Sequence, residues 1–109
     1  MAKIVVIEIG KSIIGSVIKH LGSPYAVVSY PREVQMSEFK KILKEAYEKI
    51  TDACDTGEEV WIILSGPLAL IFQLGQLLAD KKSIKILQYY NGEYHIIPDV
   101  SRDELMKKD

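Results

Sequence analysis

The sequence is poor in the residues that bind metals or form cross-links. It has one cysteine and two histidines in 109 residues, so neither a disulfide within the chain nor a zinc site of soft ligands can be assembled. Cys54 has no histidine near it in the sequence, which disfavours a cysteine nucleophile. No acidic cluster suggests metal catalysis either. We therefore expect no metal and no cofactor.

The chain also lacks a long apolar run and an excess of charge of either sign. The first run is short and is broken by Glu8, and the run from Leu68 to Ala79 is interrupted by two glutamines and a glycine, so neither is long enough to span a bilayer. The first residues lack the flanks of a signal peptide, and we expect a cytoplasmic protein. The formal net charge is −1, so an anionic ligand must be bound locally, and neither a membrane nor duplex DNA is expected as a partner.

What the chain does contain is an alternation of β-branched runs with amphipathic segments. Strands are predicted at residues 4–9, 25–30, 60–64, 84–89 and 94–97. Segments with apolar residues at helical spacing separate the first four strands, and Asn91-Gly92 predicts a β-hairpin between the last two strands. This order predicts a single α/β domain over residues 1–109: a three-layer, Rossmann-like fold with a mostly parallel sheet and a C-terminal β-hairpin. Such a sheet binds its ligand at the carboxyl ends of its strands.

The predicted third helix, Leu68 to Ala79, is apolar on nearly every side. A helix on the outside of a three-layer domain should have one polar face, so this helix must be covered by something. We expect a homodimer, with Gln73 and Gln76 near the seam or the ligand. The alternative is a helix that is enclosed within the monomer.

Gly10-Lys11-Ser12 opens the first helix directly after the first strand. Backbone N–H groups, an ammonium and a hydroxyl at a positive helix end would form a phosphate site. The motif resembles the end of a P-loop, but Val5 stands where a P-loop requires its first glycine. No G-x-G-x-x-G sequence is present either. An NTPase or a dinucleotide-dependent oxidoreductase is thus disfavoured. Alternatively, Gly10 only turns the chain and Lys11 points into solvent.

Ser65-Gly66-Pro67 follows the third strand at the equivalent position. We expect Ser65 to cap the third helix, Gly66 to let a ligand approach the backbone, and the helix dipole to favour negative charge. With Pro67 near the first turn, this loop would form a second phosphate site on the same edge of the sheet. Alternatively, it is a capped helix start with no further role.

Tyr89-Tyr90-Asn91 ends the fourth strand on this edge and offers an aromatic plane with hydrogen-bonding groups. A base stacked on tyrosine gains about 1–3 kcal/mol. Packing on the sheet surface is the other interpretation of the tyrosine pair. His95, in the return strand of the hairpin, is a candidate catalytic acid or a surface histidine.

Residues 60–97 resemble a structural unit of a known protein family, and their sequence is VWIILSGPLALIFQLGQLLADKKSIKILQYYNGEYHII. An apolar strand leads into Ser-Gly-Pro, a helix carries Gly75, and a strand ends in tyrosines before a hairpin. This string is similar to the last strand-helix-hairpin unit of the CRISPR-associated Rossmann-like sensor domains, the CARF and SAVED group. Small stand-alone CRISPR ring nucleases share the Ser-Gly-Pro element, and the first half of the chain agrees in layout.

The resemblance implies a homodimer that binds a cyclic oligoadenylate across its two-fold axis in type III CRISPR antiviral defence. The ring nucleases also cleave the ring, by attack of a ribose 2′-OH on the adjacent phosphorus, which needs no metal. Lys11, Ser12 and the Ser65-Gly66 amides would then stabilise the charged transition state. Residues 68–79 contain no histidine, unlike the matching helix of those nucleases, and Tyr90-Asn91-Gly92 stands where they carry an aspartate. The resemblance therefore supports binding more than cleavage.

Two other functions remain open at this point. One is an interaction or regulatory module that docks another protein through the apolar third helix and binds no nucleotide. The other is an enzyme that acts on a small nucleotide or sugar phosphate and uses the same two loops.

Overall fold

A five-stranded sheet forms the centre of the molecule. The computed structural model describes residues 2–98 and 102–106. The strands are β1 (Lys3–Ile9), β2 (Ala26–Tyr30), β3 (Val60–Ser65), β4 (Ile84–Tyr90) and β5 (Glu93–Ile96), in the spatial order β2-β1-β3-β4-β5. The first four strands are parallel and β5 is antiparallel to β4. The predicted α/β, Rossmann-like fold with a mostly parallel sheet and a C-terminal hairpin is thus confirmed.

Helices cover both faces of this sheet. They are α1 (Ile14–Leu21), α2 (Phe39–Cys54) and α3 (Leu68–Leu77). A short 3-10 helix (Met36–Glu38) precedes α2, and α4 (Arg102–Met106) follows the last strand. Alternate residues of β1 point to opposite faces: Val6 is buried with α1, whereas Val5 and Ile7 are buried with α2 and α3. We call these the α1 face and the α2–α3 face.

The strand order reverses direction at the centre of the sheet. The chain moves from β1 outward to β2 and then crosses back over β1 to β3. Right-handed crossovers in opposite directions place their helices on opposite faces, which is the arrangement found here. The loops that follow β1 and β3 therefore leave the sheet side by side, at the switch point where open α/β sheets bind ligands.

The two loops are in close contact. Glu8 is aligned with Ser65 in the β1–β3 register. A Cβ atom added to Gly66 would lie 3.1 Å from the Cβ of Ile9, so a larger residue would press on β1. The absence of a side chain at Gly66 thus serves packing between the two loops.

The helix α3 buries only part of its apolar surface. Leu70 and Leu74 are buried, whereas Leu68 is 85% and Phe72 is 72% exposed. The alternative of a helix that is enclosed within the monomer is therefore wrong. Pro67 occupies the N-cap position with no side-chain cap, and Ser65 ends β3, so the prediction that Ser65 caps this helix is also wrong.

The hairpin between β4 and β5 forms as its dipeptide predicts. Asn91 and Gly92 both have positive φ, 51° and 81°, as a type I′ turn requires. Among the residues that the structure describes, no helix has the length and the apolar character needed to cross a bilayer.

Replacing Leu70 by alanine should lower the free energy of unfolding by about 2–5 kcal/mol, because a cavity would form in the core. Replacing the exposed Leu68, on the same helix, should change it by about 0.5 kcal/mol or less. Urea unfolding followed by far-UV circular dichroism measures both. An equal loss at Leu68 would mean that this side chain is covered, contrary to the structure.

Candidate ligand-binding cleft

A cleft of about 410 Å³ opens on the α1 face, at the carboxyl ends of β3 and β4. Its volume falls within the range of about 300–1,000 Å³ that is usual for small-molecule sites. The floor is apolar and includes Ile63 and Leu87. The polar side chains around it are those of Lys11, Ser16, Ser65, Tyr89 and Tyr94.

The cleft brings together one candidate residue from each of the three predicted segments: Lys11, Ser65 and Tyr89. They meet because β1, β3 and β4 are adjacent and parallel, so that their carboxyl ends share one edge. Lys11 is exposed, and among the described residues it has no ion-pair partner. Its ammonium group is therefore available to an anion.

Three aromatic rings form a wall beside the cleft. The ring centroids of Tyr89 and Tyr94 are 5.0 Å apart, and His20 lies edge-on to both, at 5.4 and 5.6 Å. The hydroxyl of Tyr94 is 3.0 Å from the Ser16 hydroxyl, and His20 Nδ1 is 2.9 Å from the Ser16 carbonyl. These contacts tie the wall to α1 and hold the tyrosines in place.

The N-terminus of α1 is already occupied by a carboxylate of the chain itself. Glu8 Oε1 accepts hydrogen bonds from the backbone N–H groups of Ile13, at 2.8 Å, and Ile14, at 2.9 Å. Ser12 donates to the same oxygen at 3.3 Å, and Ser29 donates to Oε2 at 2.5 Å. The phosphate site predicted at this helix end is therefore filled, and the Ser12 hydroxyl is engaged within the protein.

The hydrogen bonds keep Glu8 ionised although its side chain is buried. Burial alone would raise the pKa of this carboxyl. The bonds from the Ser29 hydroxyl, the two amides of α1 and the Ser12 hydroxyl together outweigh burial and lower the pKa below its ordinary value. A buried, charged acceptor at a helix N-terminus also interacts favourably with the helix dipole.

Gly10 has a structural task as well. Its N–H donates to the carbonyl of Tyr30 at 2.8 Å, and its φ of +95° belongs to the region that glycine tolerates best. Since this amide is bound, the first loop offers the cleft one free cationic group, that of Lys11.

A second depression, of about 320 Å³, lies beside Gly10 and Pro67 and includes Arg32. Its guanidinium is already paired, because two nitrogens of Arg32 donate to the Glu38 carboxylate at 2.8 and 3.2 Å. This pairing, with the Gln35 backbone hydrogen bond, lowers the pKa of Glu38 to about 2. An anion here would compete with an internal ion pair, so the cleft beside Lys11 is the better anion site.

Several predicted site residues lie away from the cleft. Gln73 lines a groove between α2 and α3, on the opposite face of the sheet. Asn91 forms the hairpin turn, and Tyr90 and His95 contact each other on the α2–α3 face, with ring centroids 6.4 Å apart. The structure therefore does not bring His95 together with Lys11.

Sequence reasoning missed Glu8, Ser16 and Tyr94. Ser16 and Tyr94 are 78 residues apart, and no spacing rule connects them. The signal for Glu8 was present: an acidic residue inside an otherwise apolar strand, just before a helix that has no acidic residue in its first turn. The side-chain cap of α1 thus comes from the preceding strand.

No protein-family model, curated protein or solved structure matches this chain. Within residues 2–98 and 102–106, no group of three or more histidine, cysteine, aspartate or glutamate side chains could hold a metal ion. The geometry of the cleft is accordingly the basis for the function considered below.

Replacing Glu8 by glutamine should lower the free energy of unfolding at pH 7 by about 1–3 kcal/mol, because a charged acceptor of four hydrogen bonds becomes neutral. Folding lowers the pKa of Glu8, so its contribution is present above the ordinary value of 4.5 and is lost as the pH falls through the lower folded value. The difference between variant and parent should therefore shrink in acid. Denaturant unfolding from pH 7 down to pH 3 measures it.

Glu33→Gln is the matched control, because Glu33 is exposed and lies in a loop. We expect this variant to leave stability unchanged within about 0.5 kcal/mol. A Glu8→Gln penalty that is the same at every pH would contradict an ionised cap.

Proposed function

We propose that this chain binds a cyclic oligoadenylate, with one nucleotide unit in the cleft on the α1 face, and acts as a cytosolic sensor in type III CRISPR antiviral defence. The observation that supports the proposal is the Lys11 ammonium, which has no ion-pair partner in the described part of the chain, beside the wall of Tyr89 and Tyr94. A cation and an aromatic plane at one switch point suit a ligand that has both a phosphate and a base.

Each part of a nucleotide has a suitable partner in the cleft. Lys11 would bind the phosphate by charge, and the Ser65 hydroxyl at the end of β3 would donate a hydrogen bond to it. The half-exposed ring of Tyr89 would stack against the base. The apolar floor would then exclude water from the sugar and the base.

We expect a homodimer, because a cyclic oligomer carries repeated identical units and a symmetric pair of subunits can contact two of them alike. To share one ring, both clefts must face the two-fold axis. A seam through the exposed side of α3, as the sequence analysis predicts, would place the clefts on the outer sides of the pair. The seam that suits ring sharing instead lies on the α1 face or at the outer edge of β5.

Binding has more support than cleavage. Among the described residues, no carboxylate or imidazole lines the cleft. Of the three proposed catalytic residues, Ser12 donates to Glu8 and His95 lies on the α2–α3 face, which leaves Lys11. We therefore propose a binding protein in which any ring cleavage is slow and depends on how the bound ring is positioned.

The direct test is to incubate the pure protein with labelled cyclic tetra- and hexa-adenylate without added metal, and to measure retention and cleavage separately. AMP and a sugar phosphate serve as competing ligands. Retention of a cyclic ring at micromolar protein is the expected result. Retention of AMP or the sugar phosphate alone would favour an enzyme on a small phosphate, and no retention of any of them would overturn the proposal.

Lys11→Ala should weaken ring binding roughly tenfold or more at low salt, because a charged phosphate contact is lost. The slope of log affinity against log salt concentration should fall by about 1. Isothermal titration at several salt concentrations measures both. Lys19→Ala, an exposed lysine on α1 that does not line the cleft, is the matched control. An equal effect of both variants would remove Lys11 from the site.

Tyr89→Ala should weaken ring binding by about 1–3 kcal/mol, because a base loses its stacking partner. Unlike Lys11→Ala, Tyr89→Ala should leave the salt dependence of ring binding unchanged. Tyr25→Ala is the control, since Tyr25 is about equally exposed and lies at the opposite end of the strands. If Tyr89→Ala binds as tightly as the parent, the base does not lie on this wall.

A further inference from the structure

A groove lies between α2 and α3, on the face opposite the cleft. Its volume is about 610 Å³. Phe39, Leu43 and Tyr47 of α2 form one wall, and Leu77 and Gln73 of α3 form the other. The groove is thus mainly apolar.

The charges at this groove are all of one sign. Lys40 and Lys44 are the charged side chains that line it, and the ammonium of Lys81 lies 5.6 Å from the centre of the Tyr47 ring. Lys44 has an exposed neighbour, Glu48, at 4.0 Å, and a pair so open to solvent contributes little. An apolar groove with a lysine rim is complementary to an apolar ligand that carries negative charge.

The shape of the groove favours a helix over a small molecule. Leu77 remains 47% exposed, so the groove is open along its length. A small molecule in such an open groove would keep much of its surface in water, whereas enclosed sites bury about 70–90% of a ligand. A helix laid along the groove would cover its apolar walls.

A second copy of this chain is a poor occupant. In a symmetric pair the same patch faces itself, so an interface through this groove would collect the three lysines of both subunits. Such like-charge contacts oppose association. A dimer through another surface would not bring these lysines together.

We propose that the groove between α2 and α3 binds an acidic amphipathic helix of a partner protein. Leucine-like side chains at helical spacing would fill the apolar groove, and flanking glutamate or aspartate residues would pair with Lys40, Lys44 and Lys81. The proposal is independent of the ligand in the cleft, because the two surfaces lie on opposite faces of the sheet.

The probe for this proposal is a synthetic helix of about 15 residues, long enough to be partly helical alone. Leucines occupy one face at helical spacing, and glutamates flank them. A second probe has lysine in place of every glutamate. Fluorescence anisotropy should detect binding of the acidic probe to the whole protein and much weaker binding of the basic probe.

Charge reversal then tests the groove itself. The double variant Lys40→Glu/Lys44→Glu should weaken the acidic probe roughly tenfold and strengthen the basic probe, since each attraction becomes a repulsion. Lys41→Glu and Lys19→Glu together form the matched control, because both lysines are exposed and neither lines the groove. Circular dichroism checks that both double variants remain folded.

Three outcomes would overturn the proposal: equal binding of both probes, an equal effect of the two double variants, or a dimer in sedimentation that Leu77→Lys dissociates. The last result would assign the face to a second copy. We expect the double variant Lys40→Glu/Lys44→Glu to lose binding of the acidic probe. Its binding of the cyclic ring in the cleft should equal that of the parent.

Discussion

The buried carboxylate of Glu8 joins three parts of the chain that meet at the carboxyl end of β1. One oxygen accepts hydrogen bonds from the two backbone N–H groups at the start of α1, and the other accepts a hydrogen bond from the hydroxyl of Ser29 on the neighbouring strand. Because the acceptor is charged and desolvated, each bond is stronger than a bond between neutral groups, and removing the acceptor would leave buried donors unpaired. The direction in which α1 leaves the sheet depends on this contact.

That contact also decides what the switch point can bind. An anion at the start of α1 would have to displace Glu8, so the helix end that resembles a phosphate site is closed. On the opposite side, Arg32 is paired with Glu38. What stays open is the ammonium of Lys11, directed to the α1 face and bordered by the tyrosine wall. The two faces of the sheet thus carry different surfaces, a polar and aromatic cleft on one and an apolar, lysine-rimmed groove on the other.

Much of the fold was predictable because its signals are local. The β-branched runs, the stripe of apolar residues on α2 and the Asn91-Gly92 turn each depend on neighbours within a few residues. The site was predictable in part: Lys11, Ser65 and Tyr89 all end parallel strands, and parallel strands end on one edge. Its closed half was not, because Glu8 reaches α1 across a turn and reaches Ser29, 21 residues later, on the adjacent strand. His95 and Gln73 lie on the α2–α3 face, away from the cleft, because a shared edge does not decide which face a side chain takes.

By itself, the sequence determined the order of strands and helices and the excess of apolar surface on α3. It also placed one lysine, one serine and two tyrosines near the ends of the strands. Only the tertiary structure decided which of these groups are free. The reversal of strand order at β1 sends α1 to one face and α2 and α3 to the other, and the pleat of β4 sends Tyr89 and Tyr90 to opposite faces. Hydrogen bonds between distant residues then engage some polar groups and leave others open, because a buried donor or acceptor takes whichever partner packing brings within reach.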